Sequence, residues 1–245
     1  MDKLFAVTSG KGGVGKSTLS AGLAAALAKM GSSVLLIDMD EGLRCLDLML
    51  GVSDKIVFDL ADILNGGVEA QAAIYKVPQC EGLSLIPAPA KTGQIDPELF
   101  GAFLREAMLN FDKVVVDFPA GIDFTLYKAL PDYAVFLTVC TGEPVSLRDA
   151  SLVGMELAEI GKTNVRLIIN RFDIAFIKDG IYSSIDDMID RAGIRLIGIV
   201  PFDISLSLSF AASTLPKRCN AVKAFDRIAK RLCGQDVKLP KPKKI

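Results

Sequence analysis

Gly10-Lys11-Gly12-Gly13-Val14-Gly15-Lys16-Ser17-Thr18 is the stretch that decides how this chain is read. From Gly10 to Ser17 it fits the phosphate-loop pattern G-x-x-x-x-G-K-[ST]. Its flanks suit the motif: Lys3 to Thr8 reads as a strand, and Leu19 to Met30 as an Ala/Leu-rich helix. Glycines let backbone N–H groups curl around an anion, and the helix start adds its positive dipole end. Lys16 is placed to meet β- and γ-phosphates, and the Ser17 hydroxyl to ligate Mg²⁺.

Composition narrows the remaining choices. Hydrophobic residues make up 51% of the 245, and mean hydropathy is +0.39. No apolar run approaches the roughly 18 residues of a membrane span. Met1-Asp2-Lys3 leads straight into the first strand, leaving no room for a signal peptide, so a cytoplasmic protein is expected. The five cysteines are scattered, with no C-x-x-C, and read as reduced thiols. Histidine is absent, which removes imidazole acid–base chemistry and Ser-His-Asp hydrolysis. Catalysis must rest on carboxylates, lysines, backbone amides and a metal. Net charge is −1, unevenly placed: residues 216–245 hold ten Lys/Arg against two Asp, and the other 215 hold 18 against 27 acidic residues. The basic end offers a surface for anionic lipid or non-specific DNA, with a solvated tail as the simpler reading.

Strand-like and helix-like segments alternate along the chain, which predicts an α/β fold with a mainly parallel sheet covered by helices. Strands are expected at 33–37, 83–86, 113–117, 134–139, 165–170 and 195–200. Helices are expected at 46–50, 56–65, 97–110, 144–160, 184–192 and 220–233. No linker or repeat interrupts the pattern. One domain over residues 1–234 is expected, followed by a basic, proline-containing tail at 235–245.

Ligands of open parallel sheets bind outside the carboxyl ends of the strands, and the informative polar residues fall there. The glycine loop follows the first strand, and Asp38 and Asp40 the second. Asp117 closes Lys113-Val114-Val115-Val116-Asp117, the position of the second Mg²⁺ anchor in a phosphate-loop NTPase. Asp38 and Asp40 sit two apart and point the same way on extended backbone, placed to share work on the metal and the attacking water. Thr141-Gly142-Glu143, Asn170-Arg171 and Pro201-Phe202-Asp203 end later strands. A second lysine, Lys11, adds charge where phosphoryl transfer develops it; an exposed loop lysine is the equally open alternative.

Lys11 through Thr18 resembles the deviant Walker A motif of the MinD/ParA ATPases, marked by that extra lysine. Asp38 to Leu48 resembles the MinD switch I, Val115 to Ile122 its Walker B and switch II, and Ser146 to Ala150 the start of its interface helix. The resemblance runs from about Phe5 to Cys233. It implies a three-layer α/β/α phosphate-loop NTPase with seven to eight strands, ATP and Mg²⁺ as cofactors, and slow ATP hydrolysis in an ATP-bound homodimer. Catalytic work would fall to Lys11, Lys16 and Asp40, with Lys11 reaching the other subunit's phosphates and Asp40 orienting the water. Ser17, Asp38 and Asp117 would serve the metal. Gly10 through Thr18 would hold the phosphates, with Thr18 near the α-phosphate and Asn170, Arg171, Pro201 and Asp203 on the adenine side. Arg44, Gly121, Arg148 and Asp149, with Lys11, would face the other subunit. A protein activator, a role in septum placement and peripheral contact with the inner face of the cell membrane are further implications. A ParA-like partition ATPase on DNA is the competing expectation.

Two departures stand out. MinD proteins usually end in an amphipathic membrane helix, whereas the tail here has Pro240 and Pro242 and few large apolar residues. Residues 220–233 are amphipathic but match the family's last core helix in position. Glu41 replaces a usually apolar residue of switch I. The paired interface cysteines of related iron–sulfur proteins are missing, so no such cluster is expected.

Overall fold

The computed structural model of the chain describes residues 2–240. In chain order it holds β1 (Leu4–Thr8), α1 (Lys16–Lys29), β2 (Val34–Asp38), α2 (Leu46–Met49), α3 (Leu60–Leu64), β3 (Tyr75–Lys76), β4 (Leu83–Ile86) and α4 (Pro97–Asn110). Then come β5 (Lys113–Asp117), α5 (Phe124–Ala129), β6 (Val135–Cys140), α6 (Pro144–Glu159), β7 (Val165–Phe172), α7 (Ala175–Lys178), α8 (Ile185–Ala192), β8 (Leu196–Pro201), α9 (Ile204–Ala211) and α10 (Asn220–Leu232).

One eight-stranded sheet has the order β3-β4-β2-β5-β1-β6-β7-β8, parallel except for the antiparallel edge strand β3. The central strands are buried on both faces, so they are apolar throughout. Alternate residues feed opposite cores. Phe5, Val7, Leu36 and Val115 pack with α1 and α10, while Leu4, Ala6, Ile37 and Val116 pack with α4 and α5. A third cluster joins α6, α8 and the outer strands β7 and β8. The expected three-layer arrangement is the one observed.

Helix α1 is apolar on nearly every side because it lies between the sheet and α10. Gly22 admits the Phe225 ring; a Cβ there would overlap it. Gly198 of β8 does the same for Ile228. The amphipathic face of α10 (Ala221, Ala224, Phe225, Ile228, Ala229, Leu232) is therefore spent on the core. Among the described residues no helix is long and apolar enough to cross a membrane. Of the tail, Lys241–Ile245 lies outside the described residues.

Several boundaries differ from expectation. Helix α1 starts at Lys16 rather than Leu19, because Gly15 caps it in the left-handed conformation. The helix expected at 56–65 is confined to Leu60–Leu64, since Asp59 and Asp62 form a capping box that fixes its start. Strand β3 and helices α5, α7 and α9 are additional to the expected elements.

Candidate functional site

The phosphate loop leaves β1 and turns tightly before α1. Gly13 and Gly15 have φ of 79° and 90°, a region that excludes most side chains. The Ser9 hydroxyl donates to the Lys11 carbonyl at 2.8 Å and shapes the first turn. Gly10 lies against the start of α6: a Cβ there would stand 2.8 Å from the Asp149 Cβ. On the other side the Asn170 amide donates to the Val14 carbonyl at 2.8 Å and is buried against Gly15. The loop is thus braced by β7 and α6, neither of which the motif itself reveals.

At its floor, β2 and β5 place Asp38 directly beside Asp117 in register. Both are buried. Burial first, then the Asp117 carboxylate, pushes Asp38 up to about 7, although the Asp40 and Leu46 N–H groups donate to it. Burial pushes Asp117 up to about 6, against the pull of the neighbouring Ser17 and Ser20 hydroxyls and of Lys16. Ser20 Oγ donates to Asp117 Oδ1 at 2.8 Å, while Oδ2 is buried with no partner. Two adjacent buried carboxylates that resist ionisation, one with an orphaned oxygen, beside the Ser17 hydroxyl, suit a divalent cation. Lys16, the first residue of α1, is buried on the same floor.

This geometry has a pH consequence. Between the unfolded value of 3.8 and the native values of about 6 and 7, the folded chain holds more protons than the unfolded one. Their contribution to ligand-free stability is full below about pH 4 and is lost as pH rises through 6 to 7. Denaturant midpoints measured without nucleotide at pH 5 and pH 8 should show this fall, and Asp38→Asn should flatten it.

Asp40 is half-buried at the rim. Glu41 explains its own presence: its carboxylate accepts from Gly93 N at 2.9 Å and Gln94 N at 2.7 Å, tying switch I to the loop after β4. Gly42 N adds a bond to the Pro89 carbonyl. Arg44 pairs with Asp47 at 3.3 Å. Gly121 pairs with Ser9 backbone to backbone, which draws the switch II turn up to the loop. Lys11 meets Glu143 at 3.4 Å, with the two side chains 39% and 60% exposed.

The residues expected on the adenine side are less uniform in their surroundings. Asn170 is engaged with the loop, Arg171 is exposed with φ of 50°, and Pro201 is buried. Asp203 caps α9 through Ser205 N and accepts from Asn220 N, an architectural task that spacing alone did not disclose. Thr18 is half-buried on α1, Arg148 is exposed, and Asp149 is half-buried against Gly10.

The family model of the CobQ/CobB/MinD/ParA nucleotide binding domain matches residues 5–215. The chain belongs to the MinD/ParA family. It is 36% identical to the septum site-determining protein MinD of Thermotoga maritima, over 98% of this chain and 91% of that protein. With MinD of Bacillus subtilis the identity is 33%, over 98% and 92%. Among solved structures, the MinC:MinD cell division protein complex of Aquifex aeolicus superposes with a TM-score of 0.88 at 35% identity, covering 98% and 99%. Pyrococcus horikoshii MinD complexed with Mg-ADP gives 0.80 at 25%, covering 95% and 96%. The eight-stranded, mainly parallel sheet is thus that of MinD/ParA phosphate-loop proteins, a family of nucleotide-binding ATPases.

Proposed function

We propose that this chain is an ATP-dependent dimerisation switch of MinD type that hydrolyses ATP slowly and acts in placing the division septum. Residues 1–234 form its ATPase domain and 235–245 its tail. The observation that carries the reading is Lys11: it stands on the phosphate loop with its side chain held by an exposed contact with Glu143. Names of the relatives support the cellular role.

In this reading the loop amides and Lys16 hold the β- and γ-phosphates, and Thr18 lies by the α-phosphate. Ser17, Asp38 and Asp117 hold Mg²⁺, which when bound neutralises charge on the phosphate oxygens. Asp40 orients the attacking water. Lys11 leaves Glu143 and reaches the nucleotide of the partner subunit, with Arg44, Gly121, Arg148 and Asp149 around the shared face. Asn170, Arg171, Pro201 and Asp203 border the base. A protein activator raises turnover, and exposed Val145, Leu152 and Met155 of α6 offer it an apolar face. The protein works in the cytoplasm, with peripheral attachment at the inner membrane face.

Phosphate release tests this. Specific activity should rise with protein concentration, since each site is completed by the second subunit. Asp40→Ala should bind ATP and lose about a hundredfold in turnover. Specific activity independent of concentration refutes the shared site, and an Asp40→Ala protein with full turnover refutes the role of Asp40.

A further inference from the structure

At the end of the sheet opposite the phosphate loop, a cavity of about 490 Å³ opens between the starts of β6, β7 and β8 and the chain leaving α10. Three arginines line it: Arg166 from β7, Arg195 before β8 and Arg231 from α10. Asp2 and Asp236 are also at its walls, yet among the described residues none of the three arginines has a carboxylate within 4 Å. Arg231 donates through Nε to the Val237 carbonyl and through one terminal nitrogen to the Ile197 carbonyl, both at 2.7 Å. Its other terminal nitrogen is buried and has no acceptor. Burial, and then Arg227, pulls this guanidinium below its usual pKa.

A buried N–H without an acceptor is costly, and half-buried Arg166 and exposed Arg195 add two more cations to the lining of the same cavity. An entering oxyanion supplies both the missing acceptor and the opposite charge. Guanidinium forks match phosphate, and three of them exceed what the two oxygens of one carboxylate can satisfy. The volume exceeds that of a bare ion, and Leu196, Val237 and Leu239 supply apolar wall for an attached organic group. We infer that this cavity binds a phosphate ester through Arg166, Arg195 and Arg231, at a site separate from the nucleotide site. Because Arg231 also holds Val237, the bound phosphate fastens the segment 235–239 to the body. The ester is either a soluble metabolite or the headgroup of an anionic lipid; the binding chemistry is the same.

Glycerol 3-phosphate is titrated into the full-length protein saturated with Mg-ADP, followed by amide shifts. Saturable shifts are expected at residues 195–197 and 235–237. Arg195→Gln and Arg166→Gln should each weaken binding about tenfold, while Lys29→Gln, which is not part of the cavity lining, should not. Both arginines are at least partly exposed, so the variants should fold, which the spectra themselves report. Flotation with phosphatidylglycerol and with phosphatidylcholine vesicles separates the sources. Arg195-dependent binding to the former alone assigns a lipid headgroup; saturable glycerol phosphate binding without flotation assigns a soluble ester. No saturable shift at these residues, or one indifferent to both arginine variants, overturns the inference. It stands or falls independently of the ATPase reading.

Discussion

Lys11→Ala is expected to lower ATP turnover about a thousandfold while leaving ATP affinity within a few-fold of wild type. The structure separates the two lysines of the loop. Lys16 is buried on the phosphate floor, so its loss removes ground-state binding. Lys11 is at the rim, and its contact with Glu143 is solvent-exposed at 3.4 Å. Such a pair is worth under about 1 kcal/mol, so leaving it costs little. A positive charge that becomes useful only when it meets developing phosphoryl charge acts on the transition state, not on binding. Nucleotide affinity by fluorescent ATP displacement and turnover by phosphate release separate these outcomes. Loss of affinity and turnover in equal measure would place Lys11 in ground-state binding instead. Glu143→Gln should leave turnover near wild type or raise it, since it frees the lysine.

Gly15→Ala is expected to abolish nucleotide binding, with an affinity loss above about a hundredfold, and to destabilise the fold by about 2–5 kcal/mol. Two effects combine. Gly15 has φ of 90°, where an L side chain costs about 1–2 kcal/mol. The new Cβ would also run into the Asn170 amide, which cannot retreat without releasing the Val14 carbonyl; a lost buried hydrogen bond adds about 1–3 kcal/mol. The loop amides would no longer converge on one anion. Gly12→Ala is the control. Its Cβ would meet only the Ala120 Cβ at 3.9 Å, so stability should stay within about 1 kcal/mol. Calorimetric nucleotide titration and urea midpoints read both variants; a Gly15→Ala protein with normal affinity would refute the account of the loop.

What could be read in the sequence was chemistry that fixes residue types at fixed spacing. The glycine loop, Ser17 and the Asp117 strand end are of that kind, and the alternation of apolar strands with helices is set by burial on both sheet faces. The braces were hidden. Asn170 reaches Val14 across most of the chain, and Glu41 reaches Gly93 and Gln94 from a different strand end. Only folding brings these partners together. Helix α9 was hidden for another reason. Its Ile204-Ser205-Leu206-Ser207-Leu208-Ser209 stretch alternates with period two, yet it is helical because Asp203 caps it and Leu206 and Phe210, four apart, reach the core. Strand β3 is two residues long, too short for any pattern. The C-terminal helix shows how an amphipathic face is ambiguous by itself: the same residues suit a lipid surface, and the glycines opposite Phe225 and Ile228 decide for the core.

The central claim is that ATP, and not ADP, completes a two-subunit site. Light scattering during size-exclusion chromatography tests it most directly, using Asp40→Ala to hold ATP unhydrolysed. With Mg-ATP the mass should be about twice the 26.2 kDa of the chain, and with Mg-ADP or no nucleotide it should be that of one chain. A dimer that forms equally with ADP, or a monomer that persists in saturating ATP, would contradict the account.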